Sequence, residues 1–264
     1  MAWGHAKGML KSLAGRLIFA SRLDHLLLSN TAVVVAFHRV NDALDDDLTC
    51  PVETFGRYCS FFARHFRVVS LTELVRQLER DEPVNRELVI TFDDGYRDNY
   101  QNAAPILKAM GLPATFFVVT RFIGSDFVPW WDAGLPVRHA WMSWEQVIAL
   151  HHQGFELGSH TSSHADLGKA SADEAWHELS ESRAVLEQRL AAPVELFAFP
   201  YGDATRMTAE NRALVKAAGF RCCCSCLGGL IAPGADPFQL RRVPISPWFR
   251  SPHDFGFQVT SGRA

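Results

Sequence analysis

The strongest constraint on the fold is an apolar run that ends in two adjacent carboxylates. Residues 88–92 read Leu-Val-Ile-Thr-Phe, as in a β-strand, and Asp93, Asp94 and Gly95 follow. Neighbouring side chains on a strand point to opposite faces, so the two aspartates can share one site only where the strand ends or bulges. Such close carboxylates repel, and the pKa of one rises unless a cation lies nearby. A metal ion would resolve this, whereas a helix N-cap at Asp94 or Asp98 is the structural alternative.

Apolar runs of this kind recur along the chain, and helical patterns separate them. The first, residues 31–37, ends in His38 and Arg39. Further strands are expected at residues 66–70, 113–119, 154–159 and 193–199, and helices at residues 51–65, 71–80, 98–110, 144–153 and 173–190. This alternation is typical of crossover units in a parallel sheet. In α/β barrels the chemistry lies at the C-terminal ends of the strands, where His38 and the two aspartates are expected.

One domain accounts for this pattern. The chain has 264 residues, of which 48% are hydrophobic and 21% charged, as in a single α/β barrel. We divide it into a helical lead (residues 1–30), the main domain (31–250) and a C-terminal tail (251–264). The formal net charge of -3 and the lack of a basic stripe give no reason to expect nucleic-acid binding. No obligate protein partner is inferred.

The lead is basic and amphipathic. Lys7, Lys11, Arg16 and Arg22 alternate with leucines, a pattern that fits neither a membrane span nor a clean export signal. Two roles remain open: a helix that covers one end of the domain, or a helix that lies on a membrane surface.

The six cysteines bear on the compartment. Residues 222–226 contain four of them, and no second pair has the spacing of a zinc site. We expect them to act as small buried hydrophobic side chains, and a thiol-rich segment favours a reducing environment. The expectation is a cytoplasmic protein, with peripheral membrane contact through residues 1–30 as an addition.

A pair of histidines completes a candidate metal site. The strand at residues 154–159 is followed by His160, and His164 comes after three intervening residues. The two imidazoles can reach a common point if the backbone makes a helical turn. A lone histidine is more often a core or surface group, but this pair occurs together with two aspartates. One carboxylate and two imidazoles form a ligand set for zinc or another borderline divalent ion.

Two further segments can line the same site. Residues 127–144 are rich in tryptophan, and Trp131 with Asp132 suits either a core or a wall on which sugar rings stack. Residues 200–203 read Pro-Tyr-Gly-Asp. A tight turn there would direct a backbone N–H inward, as an oxyanion hole requires, but the same residues are also simply a good turn sequence.

The chain resembles the polysaccharide deacetylase family, also called the NodB-homology domain or carbohydrate esterase family 4. The resemblance is carried, in order, by residues 91–95 (TFDDG), 160–164 (HTSSH) and 197–202 (FAFPYG). Residues 36–40 resemble the subgroup that acts on exopolysaccharides. The resemblance implies a distorted (β/α) barrel, commonly of seven strands. It also implies hydrolysis of N-acetyl groups on amino sugars with a divalent metal.

Roles for individual residues follow from the resemblance. The implied metal ligands are Asp94, His160 and His164, and Asp93 is the implied general base. The metal would polarise the acetamide carbonyl and lower the pKa of a water, and the backbone N–H of Tyr201 would help to hold the oxyanion.

The sequence departs from the family pattern at two roles. Ala198 stands where many members have an arginine, and no late histidine occurs before His253. Our hypothesis is that His38 takes the histidine role, as acid or as its orienting partner, and that Arg241 or Arg242 replaces the arginine. A purely structural hydrogen bond from His38 at the barrel mouth is the alternative. Substrate contacts are expected from Pro200, Trp131, Asp132 and Arg241.

The sequence therefore predicts a metal-dependent hydrolase that removes N-acetyl groups from amino sugars of a poly- or oligosaccharide. Zinc is the expected ion, with cobalt or nickel as alternatives. Two other functions remain open: a deformylase or amidase acting on another N-acylated sugar, either free or lipid-linked, and a non-catalytic carbohydrate-binding relative. The presence of both aspartates and both histidines argues against the last.

Overall fold

A curled parallel sheet lies at the centre of the structure, a computed structural model that describes residues 2–246, 249 and 251–262. The strands are β1 (Ala32–Phe37), β2 (Arg39–Val40), β3 (Thr49–Cys50), β4 (Arg67–Val68), β5 (Glu87–Phe92), β6 (Thr115–Val118), β7 (Glu156–Ser159), β8 (Leu196–Ala198), β9 (Cys222–Cys224) and β10 (Val243–Pro244). Seven of them lie side by side in the order β10-β1-β5-β6-β7-β8-β9, and β4 pairs with the first residues of β5. The predicted α/β fold with a distorted, seven-stranded barrel is confirmed.

Helices surround this sheet. They are α1 (Ala2–Ala20), α2 (Asp24–Leu27), α3 (Val52–His65), α4 (Leu71–Glu79), α5 (Ala104–Ala109), α6 (Trp144–His152), α7 (Ala172–Leu190), α8 (Ala209–Ala217) and α9 (Pro252–Thr260). A π-helical turn (Asn99–Ala103) precedes α5, and a short 3-10 helix (Pro237–Gln239) precedes β10. Within the described residues, none of the helices combines the length and apolarity that a membrane span needs.

The strands are apolar because both of their faces are covered. All six residues of β1 and of β5 are buried. On one face the ring of Phe92 stacks between Phe37, at 5.5 Å, and Phe116, at 4.7 Å. This packing holds the strand ends in fixed positions.

The strand register brings the C-terminal ends to one edge of the sheet. β1 and β5 pair along their whole lengths and end together, and β7 pairs with β8 at its last residue. The residues that follow β1, β5 and β7 are His38, Asp93 and His160. They therefore emerge at the same edge, as expected for an α/β barrel.

The helical lead packs on the C-terminal helix through small side chains. A Cβ atom on Gly15 would lie 1.9 Å from the carbonyl oxygen of His253, so α1 and α9 are in close contact. Ser12 Oγ lies 2.9 Å from Ser251 Oγ, and Phe19 is buried. The lead thus covers one end of the domain, one of its two expected roles, while all of its leucines except the buried Leu28 face solvent. Residue 1 of the predicted lead and residues 263–264 of the predicted tail lie outside the described residues.

The cysteine-rich segment forms a strand. All three residues of β9 are cysteines and all are buried, as expected for small hydrophobic side chains. All six cysteines of the chain are free. Cys226, which follows β9, is partly exposed.

Candidate active site

The strand that carries the two aspartates ends at Phe92, and the backbone turns sharply after it. Asp94 has a φ of 73° and Gly95 a φ of 91°. The strand end lets Asp93 and Asp94 face one site, as the sequence predicts. A side chain on Gly95 would be strained by its φ and would lie 2.9 Å from Ile123.

Asp94, His160 and His164 form one cluster. Asp94 Oδ1 lies 3.5 Å from Nε2 of His160 and 3.4 Å from Nε2 of His164, and one ligand atom from each residue lies within 4.8 Å of the others. Asp94 Oδ1 is buried without a hydrogen-bond partner among the described residues, although such atoms are normally satisfied. The donor types and the orphaned oxygen therefore fit a divalent metal ion.

Burial determines the charges in this cluster. Burial, with the negative charge of Asp93, raises the pKa of Asp94 well above its usual value. Burial lowers the pKa of His160 to about 4 and that of His164 to about 2. Both imidazoles are neutral near pH 7, so each has a lone pair for a metal. A bound cation would favour the charged form of Asp94.

The backbone orients the first histidine. Nδ1 of His160 donates to the carbonyl oxygen of Ala198 over 2.8 Å. Because a carbonyl only accepts, the proton lies on Nδ1, and the Nε2 lone pair faces Asp94. The main chain of Ala198 thus fixes the ring orientation of His160.

The two histidines converge without a helical turn, which corrects the expected backbone conformation. Residues 160–164 form an irregular loop in which two residues have φ values of 67° and 61°. On α7, the carboxylate of Glu178 accepts hydrogen bonds from the N–H groups of Ser162 and Ser163 at 2.9 and 2.8 Å. These bonds satisfy the loop where helical hydrogen bonds are missing. The role of Glu178 could not be predicted from the sequence, since no local pattern links it to the loop.

Arg242 holds the other aspartate. Its Nη1 and Nη2 donate to the two carboxylate oxygens of Asp93, each over 2.7 Å, and its Nε donates to the carbonyl oxygen of Ser225 over 2.9 Å. Burial raises the pKa of Asp93, but the charge of Arg242 outweighs it and the net pKa falls. Of the two arginines considered, Arg242 therefore lies beside Asp93, whereas Arg241 is exposed and lies along Gly229.

His38 lies near the same aspartate. Its Nε2 is 4.0 Å from Asp93 Oδ2, and its side chain is 21% exposed. Burial lowers the pKa of His38, although the charge of Asp93 partly offsets this. The separation is too long for a direct hydrogen bond, so a water or a substrate group can lie between the two side chains. The His38 carbonyl accepts a hydrogen bond from Asn99 Nδ2 over 2.7 Å, which fixes this end of β1.

Trp131 forms an aromatic wall beside the second histidine. Its ring centroid lies 4.6 Å from that of His164, and its Nε1 donates to Tyr96 Oη over 2.9 Å. Tyr96 in turn donates to Asp132 over 3.0 Å, and Arg39 donates to the other Asp132 oxygen over 2.6 Å. Asp132 is buried and lies behind the wall, where it supports Trp131 through Tyr96. The roles of Tyr96 and Arg39 were not predicted from the sequence, although Tyr96 directly follows Gly95 and Arg39 directly follows His38.

The Pro-Tyr-Gly-Asp segment forms the predicted tight turn. Tyr201 and Gly202 have φ values of 62° and 63°, and a Cβ atom on Gly202 would lie 2.6 Å from the backbone nitrogen of Cys226. The Tyr201 ring centroid lies 4.9 Å from that of His164. The Tyr201 N–H donates to no acceptor among the described residues. Pro200 is buried at the start of this turn.

A cavity of about 300 Å³ opens over the cluster. Its lining includes both aspartates, His38, His160, His164, Trp130, Trp131 and Tyr201. Asp132, Pro200 and Arg241 are not among the described residues that line it. The cavity therefore places polar, titratable groups next to aromatic walls.

This arrangement defines a class of protein. A carboxylate and two imidazoles that fit a divalent ion, with a second carboxylate beside them at the C-terminal edge of a barrel, are typical of metal-dependent hydrolases. Residues 80–223 match the family model described as polysaccharide deacetylase. The chain belongs to this family, which confirms the resemblance of its three motifs and the expected class of hydrolase.

Named relatives agree with the family. The chain is 24% identical over 221 residues to YxkH of Bacillus subtilis, which carries this family's name; the match covers 81% of this chain and 71% of YxkH. It is 24% identical over 189 residues to the poly-beta-1,6-N-acetyl-D-glucosamine N-deacetylase of Staphylococcus aureus. That match covers 68% of this chain and 61% of the staphylococcal enzyme, so the chain spans less than two thirds of its length.

A solved structure shows the same fold. The deacetylase PplD of Streptococcus pyogenes, in complex with acetate, superimposes with a TM-score of 0.74 at 21% identity. The match covers 86% of this chain and 97% of PplD. This agrees with the distorted barrel described above.

Proposed function

We propose that the protein is a divalent-metal-dependent deacetylase that removes N-acetyl groups from amino sugars of a poly- or oligosaccharide. The observation that carries this proposal is the buried cluster of Asp94, His160 and His164 beside Asp93, within the cavity with aromatic walls. A polymer of β-1,6-linked N-acetylglucosamine is the first candidate substrate, because the staphylococcal relative is named for it.

Asp94 Oδ1 and the Nε2 atoms of His160 and His164 would hold the ion. Zinc is the ion we propose, since it accepts this ligand set, and cobalt and nickel are alternatives. When bound, such an ion polarises an amide carbonyl and lowers the pKa of a water.

Asp93 is the proposed general base. Arg242 keeps it ionised and fixes its plane, while each carboxylate oxygen retains a further lone pair for a proton. His38 is the proposed acid. A water in the 4.0 Å gap can pass the proton that Asp93 takes from the attacking water on to His38 Nε2, which then gives it to the departing amine.

The walls of the cavity position the sugar. Trp131 offers a ring face next to His164, and the N–H of Tyr201, which has no acceptor within the described part of the chain, is the proposed donor to the oxyanion. Asp132 acts through the orientation of Trp131, and Pro200 through the turn that presents Tyr201. A contact of the exposed Arg241 with a longer substrate stays a prediction.

Product analysis tests the proposal. Purified protein is assayed for metal content, then for acetate and formate release from N-acetylated and N-formylated sugars, both free and lipid-linked. We expect acetate from N-acetylated oligosaccharides, loss of activity with a chelator, and recovery with zinc. Formate as the preferred product would favour the deformylase, and sugar binding without turnover the non-catalytic relative. Undiminished acetate release after complete metal removal would refute the proposal.

The cellular location of the protein is a separate proposal. We infer a reducing compartment, the cytoplasm, since all six cysteines are free and five of them are buried. Peripheral contact with a membrane through residues 1–30 is compatible with this location. Fractionation of cells that produce the full chain, with and without a salt wash, measures both.

A further inference from the structure

The N-terminal lead presents an apolar face to solvent. Seven of its large apolar side chains are between 42% and 73% exposed: Met9, Leu10, Leu13, Leu17, Leu23, Leu26 and Leu27. They are half of the fourteen large hydrophobic side chains exposed among the described residues. On α1, residues 9, 13 and 17 follow one another on one side of the helix, away from Gly15 and Phe19, which pack on the domain. Apolar side chains concentrated in this way mark an interaction surface.

A basic cavity lies beside this face. Its volume is about 720 Å³, and it is lined by Arg16, Arg22, Arg64, Arg67 and Arg86, with Asp24 as the sole acidic residue of the described lining. Arg67 and Arg86 form ion pairs with carboxylates. The other three arginines have no acidic partner within the described part of the chain. Burial lowers the pKa of His65 and His253, which also line the cavity, so both are mainly neutral near pH 7, whereas the five arginines stay charged.

The cavity and the apolar face are continuous. Arg16 lies between Leu13 and Leu17 along α1, and Arg22 adjoins Leu23. Leucines on one side and arginines at their border are what a helix presents to a membrane with anionic lipids. We propose that this face, residues 9–27 with the arginine cavity, docks on an anionic phospholipid bilayer. The leucines enter the edge of the acyl layer, and the cavity binds lipid phosphate groups.

The docking surface and the candidate active site lie at opposite edges of the sheet. Arg67 is the first residue of β4, and Arg86 directly precedes β5, so the cavity lies at the N-terminal edge. Strands of six residues separate the two edges by about 20 Å. A docked protein therefore keeps its catalytic cavity open to water. This favours a polymer or a soluble sugar over a lipid-linked sugar held at the same bilayer surface.

Vesicle sedimentation with the full chain tests the proposal. Phosphatidylcholine vesicles are compared with vesicles that also contain phosphatidylglycerol, at low and high salt. We expect binding to the anionic vesicles only, weakened by salt. Leu13→Glu with Leu17→Glu should weaken binding at least about tenfold, because both side chains lose their place in the lipid. Arg16→Ser with Arg64→Ser should cost about fivefold for each arginine.

Matched substitutions outside the surface serve as controls. Trp176→Glu on α7 changes another exposed apolar side chain, and Arg57→Ser on α3 removes another exposed arginine. Both should bind vesicles like the unchanged protein. Equal binding to both vesicle types, or full binding by the leucine and arginine variants, would overturn the proposal.

Two further measurements distinguish a bilayer from other ligands of the docking surface. Self-association that is lost in the leucine variant, without vesicle binding, would assign the face to a second copy. Stabilisation by inorganic phosphate without vesicle binding would assign the cavity to a free anion. Either result would overturn the proposal.

Acetate release from a soluble substrate should be unchanged in the leucine variant, which shows that the variant is folded. Vesicle binding without deacetylation would contradict the proposed function alone.

Discussion

Arg242 and Asp93 form a buried ion pair, and the removal of either residue alone is expected to destabilise the fold. The guanidinium is fully buried and bonds to both carboxylate oxygens. Removing one partner of such a pair leaves an uncompensated charge and costs about 3–5 kcal/mol. We expect Arg242→Leu to lower the free energy of unfolding by this amount, measured by urea denaturation, and to abolish acetate release.

The double variant provides the control. Arg242→Leu combined with Asp93→Leu removes both charges, so it should be more stable than the sum of the two single losses implies. It should still be inactive, because the proposed base is gone. Strictly additive losses of stability would show that the two residues do not act as a pair.

The cysteines should react slowly in the native protein. Burial raises the pKa of Cys226 to about 11 and the pKa of Cys50 and Cys59 to about 12. At pH 8 only about one Cys226 side chain in a thousand is then a thiolate, the reactive form. Thiol titration should detect six groups in unfolded protein and a much slower reaction in folded protein. Rapid labelling of Cys226 in the folded state would contradict its raised pKa.

At the residue scale, the sequence identified the cluster because its three members follow strands and have distinctive side chains. It could not choose between Arg241 and Arg242. Adjacent residues beside a strand face opposite sides, and the pairing of Val35 with Val243 determines which side faces Asp93. Adjacent side chains also diverge at Trp131 and Asp132, which the sequence predicted to contact the sugar together. Trp131 lines the cavity, but the carboxylate of Asp132 is turned toward Arg39.

At the scale of elements, the loop after β7 depends on a distant helix. Glu178 on α7 holds the backbone between His160 and His164. Loss of residues that orient metal ligands typically costs 10- to 100-fold in metal affinity. We expect Glu178→Gln to weaken zinc binding by about 10-fold or more, measured by competition with a chelator.

Another substitution on the same helix separates this effect from general damage. Glu174→Gln changes the exposed capping box at the start of α7, where glutamine can still accept the same hydrogen bonds. Its zinc affinity should match that of the unchanged protein. Equal zinc affinity in both variants would show that Glu178 does not position the ligands.

Helix positions were largely predictable from the sequence, and the exceptions have tertiary causes. The four predicted helices that match α3, α4, α6 and α7 differ from them by one residue at an end. The helix predicted at residues 98–110 instead begins with a π-helical turn. There, Asp98 accepts a hydrogen bond from the N–H of Val40, and Asn99 donates to the carbonyl oxygen of His38. These bonds link the turn to the barrel edge, and a local pattern cannot reveal them.

At the scale of the whole molecule, metal binding should stabilise the fold. The cluster joins residues from two strand ends, so an ion bound there favours the folded chain. Free zinc at a hundred times its dissociation constant should add about 2.7 kcal/mol to the free energy of unfolding. Asp94→Asn should remove this dependence on zinc in thermal or urea unfolding. An equal response of the variant would place the ion elsewhere.

The barrel and its active edge could be predicted, but the surfaces around them could not. Alternating strands and helices determine which ends of the strands meet. The orientation of α1 depends on Gly15 and Phe19, which occupy the contact with the domain and leave the leucines of α1 outside. An amphipathic pattern alone would have predicted that the leucines face the core.

Zinc titration of metal-free protein shows whether the cluster of Asp94, His160 and His164 supports catalysis. Acetate release from an N-acetylated oligosaccharide is measured as zinc is added to the unchanged protein and to the His164→Ala variant. We expect activity to rise linearly to a plateau at one zinc ion per chain, and the variant to stay inactive at the same zinc concentrations. Full activity before any zinc is added, or an unchanged titration in the variant, would contradict this expectation.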